Sequence, residues 1–86
     1  MQVRLTISGR SYDAAAKIPE RLTLDEGCSL GDALRAVAGL MPEGKELPRS
    51  CLVAVSGKHL GTLGSHRDHT LAEGDELVLI APVAGG

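Results

Sequence analysis

An α+β domain, with one helix laid on one face of a mixed sheet of four or five strands, is the fold this sequence predicts. Three observations predict it. Short apolar runs with strand character occur near the start of the chain and through its second half. A single stretch, 29–41, carries helical periodicity. The resulting order, strand–strand–helix–strand–(strand)–strand, makes the helix a crossover within one sheet.

The first strand follows from alternation. Val3, Leu5 and Ile7 interleave with Arg4, Thr6 and Ser8, giving one buried face, and Gly9 closes the run. Residues 10–20 lack a clear period. Asp13-Ala14-Ala15-Ala16-Lys17 can form a helical turn, but Pro19 ends it, so the segment reads as a long hairpin connection. Arg21-Leu22-Thr23-Leu24 repeats the alternation briefly, and Asp25-Glu26-Gly27 is a turn.

The helix starts at Ser29, whose hydroxyl can cap free amides, with Asp32 in the acidic place of a capping box. Leu30, Ala33, Leu34, Val37, Ala38 and Met41 form its apolar stripe, Gly39 and Pro42 mark its end, and 42–48 is a polar loop. Cys51-Leu52-Val53-Ala54-Val55 is a central strand. Ser56-Gly57-Lys58 turns the chain, and His59-Leu60 begins a short return strand. Residues 61–70 are irregular, Leu71 is an isolated anchor and Glu73-Gly74-Asp75 is a turn. Leu77-Val78-Leu79-Ile80 is apolar almost without interruption, which suits a central strand paired with Val3–Ser8.

Composition excludes several classes. Eighty-six residues make one domain, and with Tyr12 the only aromatic residue, Leu, Val, Ile and Ala must fill the core. A net charge of −2 argues against a broad nucleic-acid surface or a polybasic membrane patch. Cys28 and Cys51 are too few for a disulfide framework and form no C-x-x-C, so they read as reduced, partly buried thiols. There is no signal-peptide pattern and no apolar run long enough to span a membrane, so a cytoplasmic location is expected.

The last strand runs into Pro82-Val83-Ala84-Gly85-Gly86. Glycine has no Cβ, so Gly85 and Gly86 fit a channel too narrow for side chains, and the Gly86 carbonyl is open to attack. Pro82 lacks an N–H and so ends ladder pairing. The five residues 82–86 can span about 16–18 Å, enough to enter another protein's active site. The expected organisation is a folded body, 1–81, and a flexible tail, 82–86.

With this order, the chain resembles the β-grasp, ubiquitin-like sulfur carriers. The resemblance rests on Val55-Ser56-Gly57-Lys58, on Leu71-Ala72-Glu73-Gly74-Asp75-Glu76 and on the ending Pro82-Val83-Ala84-Gly85-Gly86. It covers essentially the whole chain, with its specific motif in about 71–86. The family includes the molybdopterin synthase small subunit, the thiamine-pathway sulfur carrier and carriers for cysteine synthesis or tRNA thiolation.

The resemblance implies a carrier co-substrate, not an enzyme. A ubiquitin-activating-type adenylyltransferase would use ATP to join AMP to the Gly86 carboxylate, and a persulfide from a desulfurase or rhodanese-type donor would convert it to a thiocarboxylate. In the molybdopterin pathway the tail then enters the large synthase subunit, with Gly85, Ala84, Val83 and Pro82 threading behind Gly86. No bound cofactor, metal, nucleic acid or membrane is implied. Many molybdopterin synthase small subunits carry an aromatic-rich first strand and a Phe before the tail; this chain has Ile7-Ser8-Gly9-Arg10-Ser11-Tyr12-Asp13 and Leu79-Ile80-Ala81-Pro82. The other readings are a ubiquitin-like modifier joined through Gly86 to target lysines, and an interaction module whose Gly-Gly has no chemistry.

Other residues invite weaker hypotheses. His59, His66 and His69, with Asp68, have a metal-like spacing, but Gly61, Gly64 and Ser65 make the segment a solvated loop short of a zinc ligand set. Cys51 opens a buried strand, where a thiol is inert packing. Gly57-Lys58-His59-Leu60-Gly61 lacks phosphate-loop spacing. Glu73, Asp75 and Glu76 read as a soluble turn or as a docking edge for a basic groove. Leu52 and Ala54 must point opposite to Cys51, Val53 and Val55, so one of these apolar sets is a candidate partner surface.

Overall fold

Strands β1 (Gln2–Ser8), β2 (Arg21–Thr23), β3 (Leu52–Val55), β4 (Lys58–Thr62) and β5 (Glu76–Ile80) form one sheet in a computed structural model, with a single helix, α1 (Leu30–Leu40). The structure describes residues 1–8, 20–40 and 49–81. The connection 9–19, the loop 41–48 and the tail 82–86 lie outside the described residues, as do Met41 and Pro42 of the expected helix end.

The sheet order is β2-β1-β5-β3-β4. The apolar final strand therefore takes the centre, parallel to β1 and antiparallel to β3. Its two neighbours meet it in matching register: Leu5 of β1 lies beside Leu77, and Val55 of β3 lies beside the same Leu77 from the other side. With one helix and a five-stranded mixed sheet, the fold is the α+β arrangement expected.

Alternation places the core. Val3 and Leu5 of β1, Leu22 of β2, Val53 and Val55 of β3, Leu60 of β4 and Leu77 and Leu79 of β5 are buried together with Leu30, Ala33 and Val37 of α1. Cys51, Leu71 and Ala81 complete the cluster. The helix stripe is narrower than its spacing implies, because Leu34 is half-buried and Ala38 is exposed. Gly39 lies within the helix, which runs on to Leu40.

Ser29 caps α1: its Oγ accepts the Asp32 N–H at 3.2 Å. Asp32 does not complete a capping box among the described residues; its carboxylate instead accepts a 3.3 Å bond from the Arg35 guanidinium, one turn on. The shorter reach of Asp compared with Glu accounts for this. The 69–71 segment then ties the helix start to the sheet. Leu30 N–H donates to the His69 carbonyl and Leu71 N–H to the Cys28 carbonyl, burying the predicted Leu71 anchor.

The return strand is longer than expected. Residues 61 and 62 continue β4 past a register shift at Val53/Ala54. Gly61 makes this possible, with φ of 125°, a conformation that disfavours side chains. The loop beyond folds back on β4, where Thr62 N–H donates to the Ser65 carbonyl and Arg67 N–H to the Leu60 carbonyl.

Candidate functional site: the base of the tail

β5 delivers the chain to Pro82, and its packing fixes how firmly. Leu77 and Leu79 are fully buried on the helix side. The ladder extends one residue past the strand, because the Ala81 N–H donates to the Ser8 carbonyl at 2.8 Å and Ala81 is itself buried. The tail is therefore rooted in the middle of the sheet. Gly86, Gly85, Ala84, Val83 and Pro82, the residues expected to carry and thread the reactive carboxylate, lie outside the described residues. What the structure supplies is their mount.

The face of the sheet opposite the helix carries the second feature. Leu52 of β3 sits directly across from Ile80 of β5, and the two remain 37% and 38% exposed. The next pair down, Ala54 and Val78, is half-buried. Together they make an apolar strip along β5 and β3 that no described element covers. Polar residues frame it: Ser8 and Thr62 flank the first row, Thr6 and His59 the second. Of the two apolar sets that strand parity separated, Cys51, Val53 and Val55 face the core, while Leu52 and Ala54 face outward. The strip begins at Ile80, next to Ala81, so any surface that grips the root of the tail also meets it.

The opposite pole of the sheet is occupied by its own bonding. The Asp75 carboxylate accepts the Ser56 hydroxyl at 2.9 Å and the Ala72 N–H at 2.8 Å. The Ser56 Oγ accepts the Glu76 N–H at 3.2 Å, and the Glu73 carboxylate accepts the Gln2 N–H at 3.0 Å. Asp75 and Glu73 thus brace the turns around β5, where Ser56 holds a positive φ of 48°. A sequence reading treats these carboxylates as surface charge; only the register reveals the donors they face.

Neither cysteine is set up as a nucleophile. Burial pushes the Cys51 thiol up. The Cys28 thiol is also raised, first by burial and then by the negative charges of Asp32 and Asp25. A raised thiol is largely protonated near neutral pH and reacts poorly. His59, His66 and His69 are not gathered with other donors: among the described residues, no group of three or more His, Cys, Asp or Glu side chains is placed to hold a metal ion. Gly57, with φ of 83°, serves the β3–β4 turn.

Comparison with known proteins agrees with this geometry. The ThiS family model matches residues 5–86, the tail included. An uncharacterized protein of Archaeoglobus fulgidus is 31% identical over 91 residues, covering all of both chains. The crystal structure of SAMP1 from Haloferax volcanii superposes with a TM-score of 0.67 at 27% identity, again covering all of both chains. The fold is thus the ubiquitin-like β-grasp. With its central strand leading into Pro82–Gly86 and the match running to the final residue, the chain belongs to the ThiS family of ubiquitin-like sulfur-carrier proteins.

Proposed function

We propose that this protein is a sulfur carrier whose Gly86 carboxylate is adenylated and converted to a thiocarboxylate, and that it serves molybdopterin biosynthesis as the non-catalytic small subunit of a synthase. The observation that carries the reading is the rooting of the tail. The central strand, held on both sides and locked at Ala81 by Ser8, ends in a Gly-Gly segment within the ThiS-family match.

A carboxylate is a poor acyl donor because oxide is a poor leaving group. Attack of the Gly86 carboxylate on the α-phosphate of ATP releases pyrophosphate and makes a mixed anhydride. A partner's persulfide sulfur then displaces AMP, and a thiol cleaves the resulting S–S bond to leave the thiocarboxylate. ATP is used by the activating partner; the carrier itself binds no cofactor. Cys28 and Cys51, with their raised thiols, leave the persulfide to that partner.

The partners are a ubiquitin-activating-type adenylyltransferase, a desulfurase or rhodanese-type sulfur donor and a synthase large subunit. The strip of Leu52, Ala54, Val78 and Ile80 is the surface on which they dock. We place the protein in the cytoplasm, where these reactions would meet; among the described residues, no helix is long and apolar enough to cross a membrane.

The test is intact-mass analysis after incubation with ATP, the activating enzyme and a sulfur donor. The expected result is replacement of one oxygen by one sulfur at Gly86, abolished when Gly85 and Gly86 are deleted. An unchanged mass, with the enzyme active on a control carrier, would refute it. The likeness to SAMP1 supports a second reading, a ubiquitin-like modifier joined through Gly86 to lysines. That reading predicts Gly-Gly remnants on the lysines of other proteins.

A further inference from the structure

Arg49 lies at the same pole as the root of the tail. Leu52 pairs with Ile80, and the backbone continues from Leu52 through Cys51 and Ser50 to Arg49 as β5 runs the other way into Ala81. Its backbone is fixed, since the Arg49 carbonyl accepts the Gly64 N–H and the Cys51 carbonyl accepts the Leu63 N–H, both at 2.9 Å.

Its side chain is accommodated by a glycine. A Cβ on Gly64 would stand 3.0 Å from Arg49 Nε and 3.2 Å from Arg49 Cβ, and the three heavy atoms nearest to that position all belong to Arg49. Gly64 is not among the glycines with positive φ, so backbone conformation does not demand glycine there. The Arg49 side chain and carbonyl crowd the position instead. Arg49 nevertheless remains exposed, and among the described residues the only ion pair joins Arg35 to Asp32.

We propose that Arg49 is a docking residue for the activating enzyme, pairing with a carboxylate at the mouth of the channel that takes the tail. This rests on the adenylation reading. If Gly86 reaches an active site, the five residues 82–86 bring that site within about 16–18 Å of Ala81. Ala81 cannot follow the tail, because its N–H is bonded to Ser8 and its side chain is buried. The enzyme's surface must therefore close on this pole, over Ile80 and Leu52 and against Arg49. The guanidinium of an exposed Arg beside this pole matches the planar geometry of a carboxylate. The apolar strip supplies burial, and Arg49 supplies orientation and salt sensitivity.

The experiment is ATP–pyrophosphate exchange by the activating enzyme, with the folded carrier as the varied substrate. Arg49→Gln is expected to raise the KM for the carrier up to about fivefold and Arg49→Glu up to about 25-fold, the latter from twice the free energy of an exposed ion pair. kcat should be unchanged, and the difference from wild type should shrink at high salt. Arg35→Glu on the helix makes the same change in net charge and is expected to leave KM within about twofold. Equal KM values for Arg49→Glu and Arg35→Glu, with wild-type carrier active, would overturn the role of Arg49 alone. No exchange with wild-type carrier would overturn the adenylation reading and this inference with it.

Discussion

The apolar strip makes a quantitative prediction for the double variant Leu52→Ser/Ile80→Ser. Full burial of a Leu or Ile side chain is worth about 1.5–3 kcal/mol. With 37% and 38% of these residues still exposed, each has about 0.6–1.1 kcal/mol left to gain when a partner covers it. Each single change should therefore weaken docking about three- to sixfold, and the double change about 7- to 40-fold. Because the two residues face each other across β3 and β5, the double effect is expected to depart somewhat from the product of the singles. The assay is ATP–pyrophosphate exchange with carrier concentration varied, supported by circular dichroism to show that the sheet is intact. The expected change is in KM, with kcat retained, because the strip meets the enzyme equally before and during reaction. A folded double variant with wild-type KM would refute the docking role of this face.

Two further predictions concern the body. Gly61→Ala should destabilise the protein by about 2–4 kcal/mol in urea unfolding, because the new Cβ would stand 2.5 Å from the Ser65 carbonyl oxygen at a φ of 125°. Gly57→Ala, at φ of 83° with open space around it, should lose only about 1–2 kcal/mol; equal losses would remove the role assigned to the Ser65 contact. The buried Cys51 thiol, raised by desolvation, holds its proton more tightly in the folded than in the unfolded chain. Its contribution is complete below the ordinary thiol pKa of about 8.5 and declines as pH rises above it, by at most about 1.4 kcal/mol per pH unit. The stability advantage of wild type over Cys51→Ala should narrow from about pH 7 to about pH 10; a widening gap would contradict the sign.

Much of this architecture is legible in local pattern, for physical reasons. Val3, Leu5 and Ile7 alternate because one face of β1 meets the core, and the unbroken run Leu77–Ile80 belongs to a strand with neighbours on both edges. Ser29 announces the helix because few residues satisfy free amides so well. The features that escape the sequence depend on register. Nothing local shows that Leu52 meets Ile80, so the apolar strip becomes a surface only when β3 pairs with β5. Asp75 reads as turn charge until Ser56 arrives from 19 positions away. Gly61 reads as the start of an irregular loop, yet it prolongs β4, because the bulge there needs the positive φ that glycine tolerates. Gly64 reads as loop, and its partner Arg49 lies beyond the reach of any local motif.

The placement of β5 also has a mechanical consequence. A partner that draws the tail into its channel pulls along the axis of this strand. The load passes into a parallel ladder with β1, five residue pairs from Arg4–Glu76 to Ser8–Ile80, and an antiparallel ladder of four pairs with β3. Force along a strand so flanked loads those bonds together in shear, whereas an edge strand would peel away one bond at a time. A pull entering at Ala81 would thus be shared between two ladders, and the body would keep its shape under a load that would strip an edge strand.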